Sequence, residues 1–230
     1  MRLTKRCMEI LTLLRDARWL STSQLHRRFF PHATLNAARK RLRRLAQAGY
    51  LRKFQEGRMQ EAMFTLGNEG RRELERKGWA DIVLVRQPPK QREHMTGIND
   101  VRIAAEITGH LEYFFSAWEL PGAGWNHPII PDAVMRLKNK SFAVEFDRGL
   151  ESIGYFVKTK ITVYRSGLQG LPLAAVIVVA DGKARMNSLA RAIGGDSGRV
   201  LFTTIDLIRR HGMLAAVFYS GPDREGVRLF

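Results

Sequence analysis

Asp132, Glu145 and Asp147 carry the most specific chemistry in this chain. Pro131-Asp132 lies in an apolar, strand-like segment, residues 129–137, and Glu145-Phe146-Asp147 closes the next one, residues 141–147, after the polar turn Lys138-Asn139-Lys140. Alternate residues of a strand share a face, so Glu145 and Asp147 point one way and Phe142, Val144 and Phe146 the other. Carboxylates that converge in this manner repel one another unless a cation neutralises them, and Mg²⁺ is the usual hard partner for oxygen ligands. Such an ion would activate water and stabilise the charge of phosphodiester cleavage. The competing reading is an ion-pair network in which Arg148, Lys158 or Lys160 neutralises the acids, an arrangement that costs desolvation and signals no function. Lys160 and Tyr164 fall one turn apart in a helical pattern over residues 151–165 and would face the acids together; a Tyr packed in the core beside a solvated Lys is the alternative. Glu106 is either a fourth acid supplied by a helix or, the favoured reading, a surface glutamate.

A second chemistry resides in residues 34–53, TLNAARKRLRRLAQAGYLRK. Leu35, Ala38, Leu42 and Leu45 recur at helical spacing and would face a core, which leaves Asn36, Arg39, Lys40, Arg43, Arg44 and Gln47 largely on the other side. A basic face of this kind suits a major groove lined with phosphates, and its bland alternative is a solvated helix. The flanking elements favour the groove. Cys7, Ile10, Leu11, Leu13 and Leu14 predict a first helix, Ser21-Thr22 a capped second helix through Phe29 closed by Pro31, and Thr34 a cap for the third, which ends near Gly49. Residues 50–55 and 61–66 read as two strands around Glu56-Gly57-Arg58, followed by a fourth helix over 68–77. That order is the order of a winged helix-turn-helix. Arg27, Arg28, Arg52, Lys53 and Arg58 would then hold phosphates and give a salt-dependent affinity, while Asn36, Arg39, Lys40 and Arg43, with Arg44 beside them, would meet base edges.

The charge distribution agrees with this division. Of the formal net charge of +16, the first 90 residues hold +13, from 21 Lys and Arg against 8 Asp and Glu. A positive field confined to one half favours a polyanionic partner, here double-stranded DNA. No long apolar span, signal peptide or lipidation motif appears, so the expectation is a cytoplasmic protein without a membrane partner. The single cysteine, Cys7, excludes an intrachain disulfide and reads as core packing, the six histidines show no metal-ligand spacing, and Gly194-Gly195-Asp196-Ser197-Gly198 lacks the spacing of a phosphate-cradling loop. Gln87-Pro88-Pro89 forbids a regular helix, which gives a DNA-binding domain over 1–78, a hinge over 79–92 and a second domain over 93–230. In that second domain a helix over 94–109, with Ile98, Val101, Ile103, Ala104 and Ile107 as its apolar side, precedes a strand within 110–120. The two acidic segments and the 151–165 helix follow, then strands at 173–180, 200–204 and 214–219 and a helix at 183–193. The alternation predicts an α/β sandwich, and the whole chain a mixed α+β and α/β architecture.

The run PDAVMRLKNKSFAVEFD resembles the PD-(D/E)XK nuclease core, in which acids on adjacent strands hold metal and a lysine two residues after the second acid assists catalysis. Asp147 stands where that lysine is expected, so the resemblance implies a relocated lysine, Lys160 before Lys158. More of the chain resembles the replication-relaxation family of plasmids and other mobile elements, a winged helix followed by a nuclease-like domain. The matching residues are His94 with Gly97-Ile98-Asn99-Asp100-Val101, Pro131-Asp132, Glu145 through Ser152, and Lys160 with Tyr164. The resemblance implies a DNA transaction on a mobile element. Either a transcription or replication regulator with an inactive second domain or a Mg²⁺-dependent endonuclease or nickase fits it, the latter using Asp132, Glu145 and Asp147 as metal ligands and Lys160 as the catalytic cation. An adaptor recruiting relaxosome or replication proteins, and a homodimer reading two half-sites, are further expectations.

Overall fold

The computed structural model describes residues 2–57, 59–127, 129–167, 173–194, 199–221 and 225–230; Arg58 and the glycine-rich run from Gly195 to Gly198 lie outside them. The chain divides into two compact units, Met1–Asn99 and Asp100–Phe230. The division falls inside one helix, and residues 77–91 form neither helix nor strand.

The first unit contains α1 (Lys5–Ala17), β1 (Leu20–Ser21), α2 (Thr22–Phe29), α3 (Leu35–Gln47), β2 (Leu51–Phe54), β3 (Met63–Leu66) and α4 (Asn68–Arg76). The starts of α2 and α3 are set by side chains. The Ser21 hydroxyl accepts from the Gln24 amide at 3.2 Å while Gln24 Oε1 accepts from the Ser21 amide at 2.9 Å, a reciprocal box that satisfies two otherwise orphaned donors. Thr34 Oγ1 accepts from the Ala37 amide at 3.2 Å and starts α3. Gly49, at φ +77°, then turns the chain from α3 into β2, a conformation that costs glycine little. The sheet is antiparallel with order β1-β3-β2; the two-residue β1 is too short to carry a periodic signal in the sequence. Trp19, Leu25, Leu42, Leu45 and Leu74 are fully buried among these elements. Gly70 in α4 lets the helix lie against β2, since a Cβ there would sit 2.3 Å from the Tyr50 carbonyl oxygen.

α5 (Arg92–Ile107) buries Ile98, Val101 and Ile103, but Ile107 is 55% exposed, because the helix ends there in a turn closed by Gly109 at φ +72°. Three polar residues of α5 are buried instead: Asn99, Asp100 and Arg102. Asn99 Nδ2 donates to the carbonyls of Ala17 (3.1 Å) and Trp19 (2.6 Å) in the first unit, while Asp100 pairs with Arg209 and Arg102 with Ser116 and Glu119 in the second.

The second unit is built on a five-stranded sheet of order β4-β5-β6-β7-β8, comprising β4 (Leu111–Ser116), β5 (Ala133–Leu137), β6 (Lys140–Asp147), β7 (Leu173–Ala180) and β8 (Val200–Thr204). β4, β5 and β6 form an antiparallel meander; β7 and β8 continue parallel to β6. Parallel neighbours require crossovers, and helices supply them: α6 (Ile153–Phe156), a π-helical turn (Val157–Ile161) and α7 (Thr162–Gly167) between β6 and β7, and α8 (Lys183–Ile193) between β7 and β8. Phe156, Ile161, Met186, Leu189 and Ile193 of these helices share a core with Val134, Ala143, Val176, Val178 and Phe202 on one face of the sheet. Residues 214–219 do not form the expected strand. Only isolated bridges, Phe202 to Tyr219 and Phe218 to Val227, occur there, since the segment has no continuous partner. A helix not foreseen in the sequence, α9 (Ile205–His211), precedes it, capped by Thr204 and ended by Gly212 at φ +80°.

Candidate functional site

Two groups of side chains are candidates, one in each unit. In the first, α3 divides as its period predicts: Ala38, Leu42 and Leu45 are buried, whereas Asn36, Arg39, Lys40, Arg43, Arg44 and Gln47 are exposed. None of the four arginines and lysines on that face pairs with an acid among the described residues. Their full positive charge is therefore presented to solvent. Arg41 instead turns inward, where its Nη2 lies 2.8 Å from Cys7 Sγ. Burial raises the Cys7 thiol pKa, but hydrogen bonds from Thr4 and Arg41 outweigh it and leave a net lowering. Arg52 and Lys53 of β2 are exposed beside α3, and Arg43 and Lys53 line one continuous hollow with Arg39, Gln55 and Gln60. Three cationic side chains, Arg39 and Arg43 from the helix and Lys53 from the neighbouring strand, thus border a single hollow. Arg27 and Arg28, in the last turn of α2, are half-buried, and the Arg28 guanidinium lies over the Phe29 ring. They are less available than the α3 residues.

The second group lies on β5 and β6. Glu145, 1% exposed, is gripped at both oxygens from the crossover helix: Tyr164 Oη donates to Oε1 at 2.5 Å and Lys160 Nζ sits 3.1 Å from Oε2. The π-helical turn between α6 and α7 carries Lys160, and single π turns of this kind widen a helix locally at functional sites. Asp132, half-buried just before β5, accepts from the Phe146 amide at 2.8 Å through Oδ2, which ties it to the strand that carries Glu145. Burial, then the nearby Asp132 charge, pushes the Glu145 carboxyl up to about 7 against the opposing pull of Lys160 and Tyr164. Burial lowers the Lys160 pKa, yet Glu145 and Asp132 more than reverse that, so its ammonium is held charged. Burial and Glu145 likewise raise Tyr164, which keeps its proton.

Asp147 shares the strand face of Glu145 but is committed elsewhere. Arg185 of α8 embraces it, Nε to Oδ2 at 2.6 Å and Nη2 to Oδ1 at 3.3 Å, and the Gly149 amide donates to Oδ1 at 3.0 Å. The structure therefore brings together Asp132, Glu145, Lys160 and Tyr164, leaves Asp147 in a separate ion pair, and keeps Lys158 exposed. Arg185 is the participant that the sequence reading missed. A topological signal exists: with β7 parallel to β6, the helix after β7 must begin at the strand end where Asp147 sits, and Arg185 is in the first turn of that helix.

As a metal site the acids fit in part. Asp132 and Glu145 offer two carboxylates from adjacent strands, and Mg²⁺ is commonly held by one or two carboxylates with substrate phosphates completing its shell. Among the described residues no group of three or more His, Cys, Asp and Glu side chains gathers as a metal cage. Nor is any helix among those residues long and apolar enough to cross a membrane.

No curated protein and no solved structure matches this chain. The Replication-relaxation family model does match, over residues 11–171, a span that includes α3, both acidic strands and the helix bearing Lys160 and Tyr164. The chain belongs to the Replication-relaxation family, which associates it with plasmid replication and relaxation.

Proposed function

We propose that this protein binds duplex DNA through a winged helix formed by its first unit and acts as a regulator of replication or transcription on a mobile element. The observation that carries this reading is the unpaired basic face of α3 beside Arg52 and Lys53 of β2. A helix of α3's diameter fits the major groove, where Arg39 and Arg43 can pair bidentately with guanine and Asn36 with adenine. Arg52 and Lys53, from the strand leading into the wing, neutralise flanking phosphates, which supplies affinity without sequence choice. Replacing Arg39 and Arg43 together by alanine is expected to weaken binding to a labelled duplex by at least about 30-fold, since each bidentate pair is worth roughly 1–3 kcal/mol and about 1.4 kcal/mol is tenfold. Glu145→Ala is expected to leave it unchanged. Equal losses from both variants in a fluorescence-anisotropy titration would refute the assignment.

A second reading is favoured by one observation, the Lys160 ammonium 3.1 Å from the buried Glu145 carboxylate on the strand beside Asp132. This arrangement supports a PD-(D/E)XK nuclease-like domain with a relocated lysine. Asp132 and Glu145 would hold Mg²⁺, which when bound supplies a polarised phosphodiester and an activated water. Lys160 would place a fixed positive charge beside the scissile phosphate, and Tyr164 fixes the Glu145 carboxylate by its hydrogen bond. Nicking of supercoiled plasmid with Mg²⁺ or Mn²⁺, abolished in Glu145→Ala, is the expected result of this second reading. Absence of cutting under saturating binding would leave the regulator alone.

A further inference from the structure

The sheet face that bears Glu145 also carries a pocket that the functions above do not use. Tyr113 and Phe115 of β4 stack with ring centroids 5.1 Å apart and an interplanar angle of 21°, forming one wall. Trp125 and His127, edge to face at 4.8 Å, form another, and Val134 and Ser141 lie at the base. Trp125 is fixed by donation from Nε1 to the Ile129 carbonyl at 2.9 Å, whereas the His127 ring is exposed. The cavity, about 220 Å³, is below the size of drug-like sites and suits one flat ring system.

Its polar equipment is small and specific. Tyr113 Oη and Ser141 Oγ are hydrogen-bonded to each other at 3.0 Å, so the pair keeps one further donor and free lone pairs for the edge of a ring. Arg136 is the cross-strand partner of both Tyr113 and Ser141 but pairs with Glu112, and Lys138 and Lys140 direct their ammonium groups to the Phe230 ring, so the pocket itself is lined by aromatic, aliphatic and hydroxyl groups. Val134 lines the pocket and Asp132 is two residues before it, a step of about 7 Å along the strand. The pocket and the acidic cluster are therefore adjacent on one sheet face.

We infer that this pocket binds a single unpaired nucleobase, so that the second unit takes single-stranded or locally opened DNA. Paired bases hide their faces within the stack, and only an extruded or single-stranded base can enter between aromatic walls. The proposal rests on the nucleic-acid reading above and adds to it the strand state of the ligand. Aromatic stacking tolerates any base, so selectivity would come from the Tyr113 and Ser141 hydroxyls.

The test uses the full chain and a single-stranded 12-mer carrying 2-aminopurine at its centre, beside an otherwise identical 12-mer with an abasic site there. Wild type should quench the 2-aminopurine and bind the base-bearing strand at least five-fold more tightly than the abasic one. Trp125→Ala should abolish that preference. Because Trp125 also holds its loop, Ala123→Leu, which fills the exposed rim without removing a packed group, and His127→Ala should each reduce the preference, with melting temperatures unchanged. Duplex affinity, measured in parallel, should stay at the wild-type value in all three variants and fall in the Arg39/Arg43 variant. Equal affinity of wild type for base-bearing and abasic strands, no single-strand binding, or a preference that survives all three variants would overturn the pocket assignment. None of those outcomes alters the duplex result, which judges the α3 reading separately.

Discussion

Arg185→Ala is expected to destabilise the second unit by about 3–5 kcal/mol, the range for stranding one member of a buried ion pair. The Asp147 side chain is 5% exposed and takes both of its charged hydrogen bonds from Arg185, keeping only the Gly149 amide once the guanidinium is gone. Arg185 also donates to the Glu151 carbonyl at 2.8 Å, so the same change loosens the turn between β6 and α6. An uncompensated carboxylate, more than lost packing, dominates the cost. The double change Asp147→Asn with Arg185→Met should recover much of the loss, because it removes the charge along with its partner. Urea denaturation of the wild type and the two variants checks this. A loss below about 1 kcal/mol for Arg185→Ala would show that Asp147 is solvated in solution and available for another partner, and the description of the site would have to change.

The second large effect concerns pH. The folded-state pKa of Glu145 is about 7 against an ordinary 4.5. Between those values the folded protein retains a proton that the unfolded chain releases, so stability is highest below pH 4.5, falls as pH rises, and reaches its full penalty above pH 7. A shift of this size corresponds to roughly 3 kcal/mol, at about 1.4 kcal/mol per pH unit. This slope is opposite to that of a salt-bridged carboxylate whose pKa is depressed. Glu145→Gln keeps a hydrogen-bonding side chain of the same shape and removes the titration. Its stability profile from pH 5 to pH 8 should therefore be flatter than that of the wild type, with the two curves diverging toward pH 8 in favour of the variant. Parallel curves would contradict the protonation state assigned to Glu145. Comparison of the two proteins isolates the contribution of Glu145.

Residues close in sequence were the legible ones. The basic face of α3 follows from Leu35, Ala38, Leu42 and Leu45 recurring at helical spacing, and Thr34 and Gly49 mark its ends by local chemistry alone. Asp132 and Glu145 meet through a hairpin whose turn is written in Lys138-Asn139-Lys140, and Lys160 with Tyr164 arrives on the next helix. Arg185 is 38 residues from Asp147 and Arg209 is 109 from Asp100. Partners so distant are set by the crossovers of the parallel strands, which no local pattern specifies. The same holds for Asn99 and Asp100, which read as a motif in the sequence and serve in the structure as buried anchors to carbonyls and to an arginine. Residues 214–219 show the converse error: an apolar run has strand character, but without a continuous neighbour it forms only bridges.

The central claim is that the exposed cations of α3 and β2 hold a DNA duplex, and counterion release measures this most directly. Affinity for a duplex should be determined across a series of salt concentrations for the wild type and for Arg52→Ala/Lys53→Ala. Each phosphate contact contributes a slope of about −0.9 in log K against log salt. A steep wild-type slope, shallower by about 2 in the double variant, is the predicted result. A wild-type slope near zero, or one that the double variant leaves unchanged, would contradict the account.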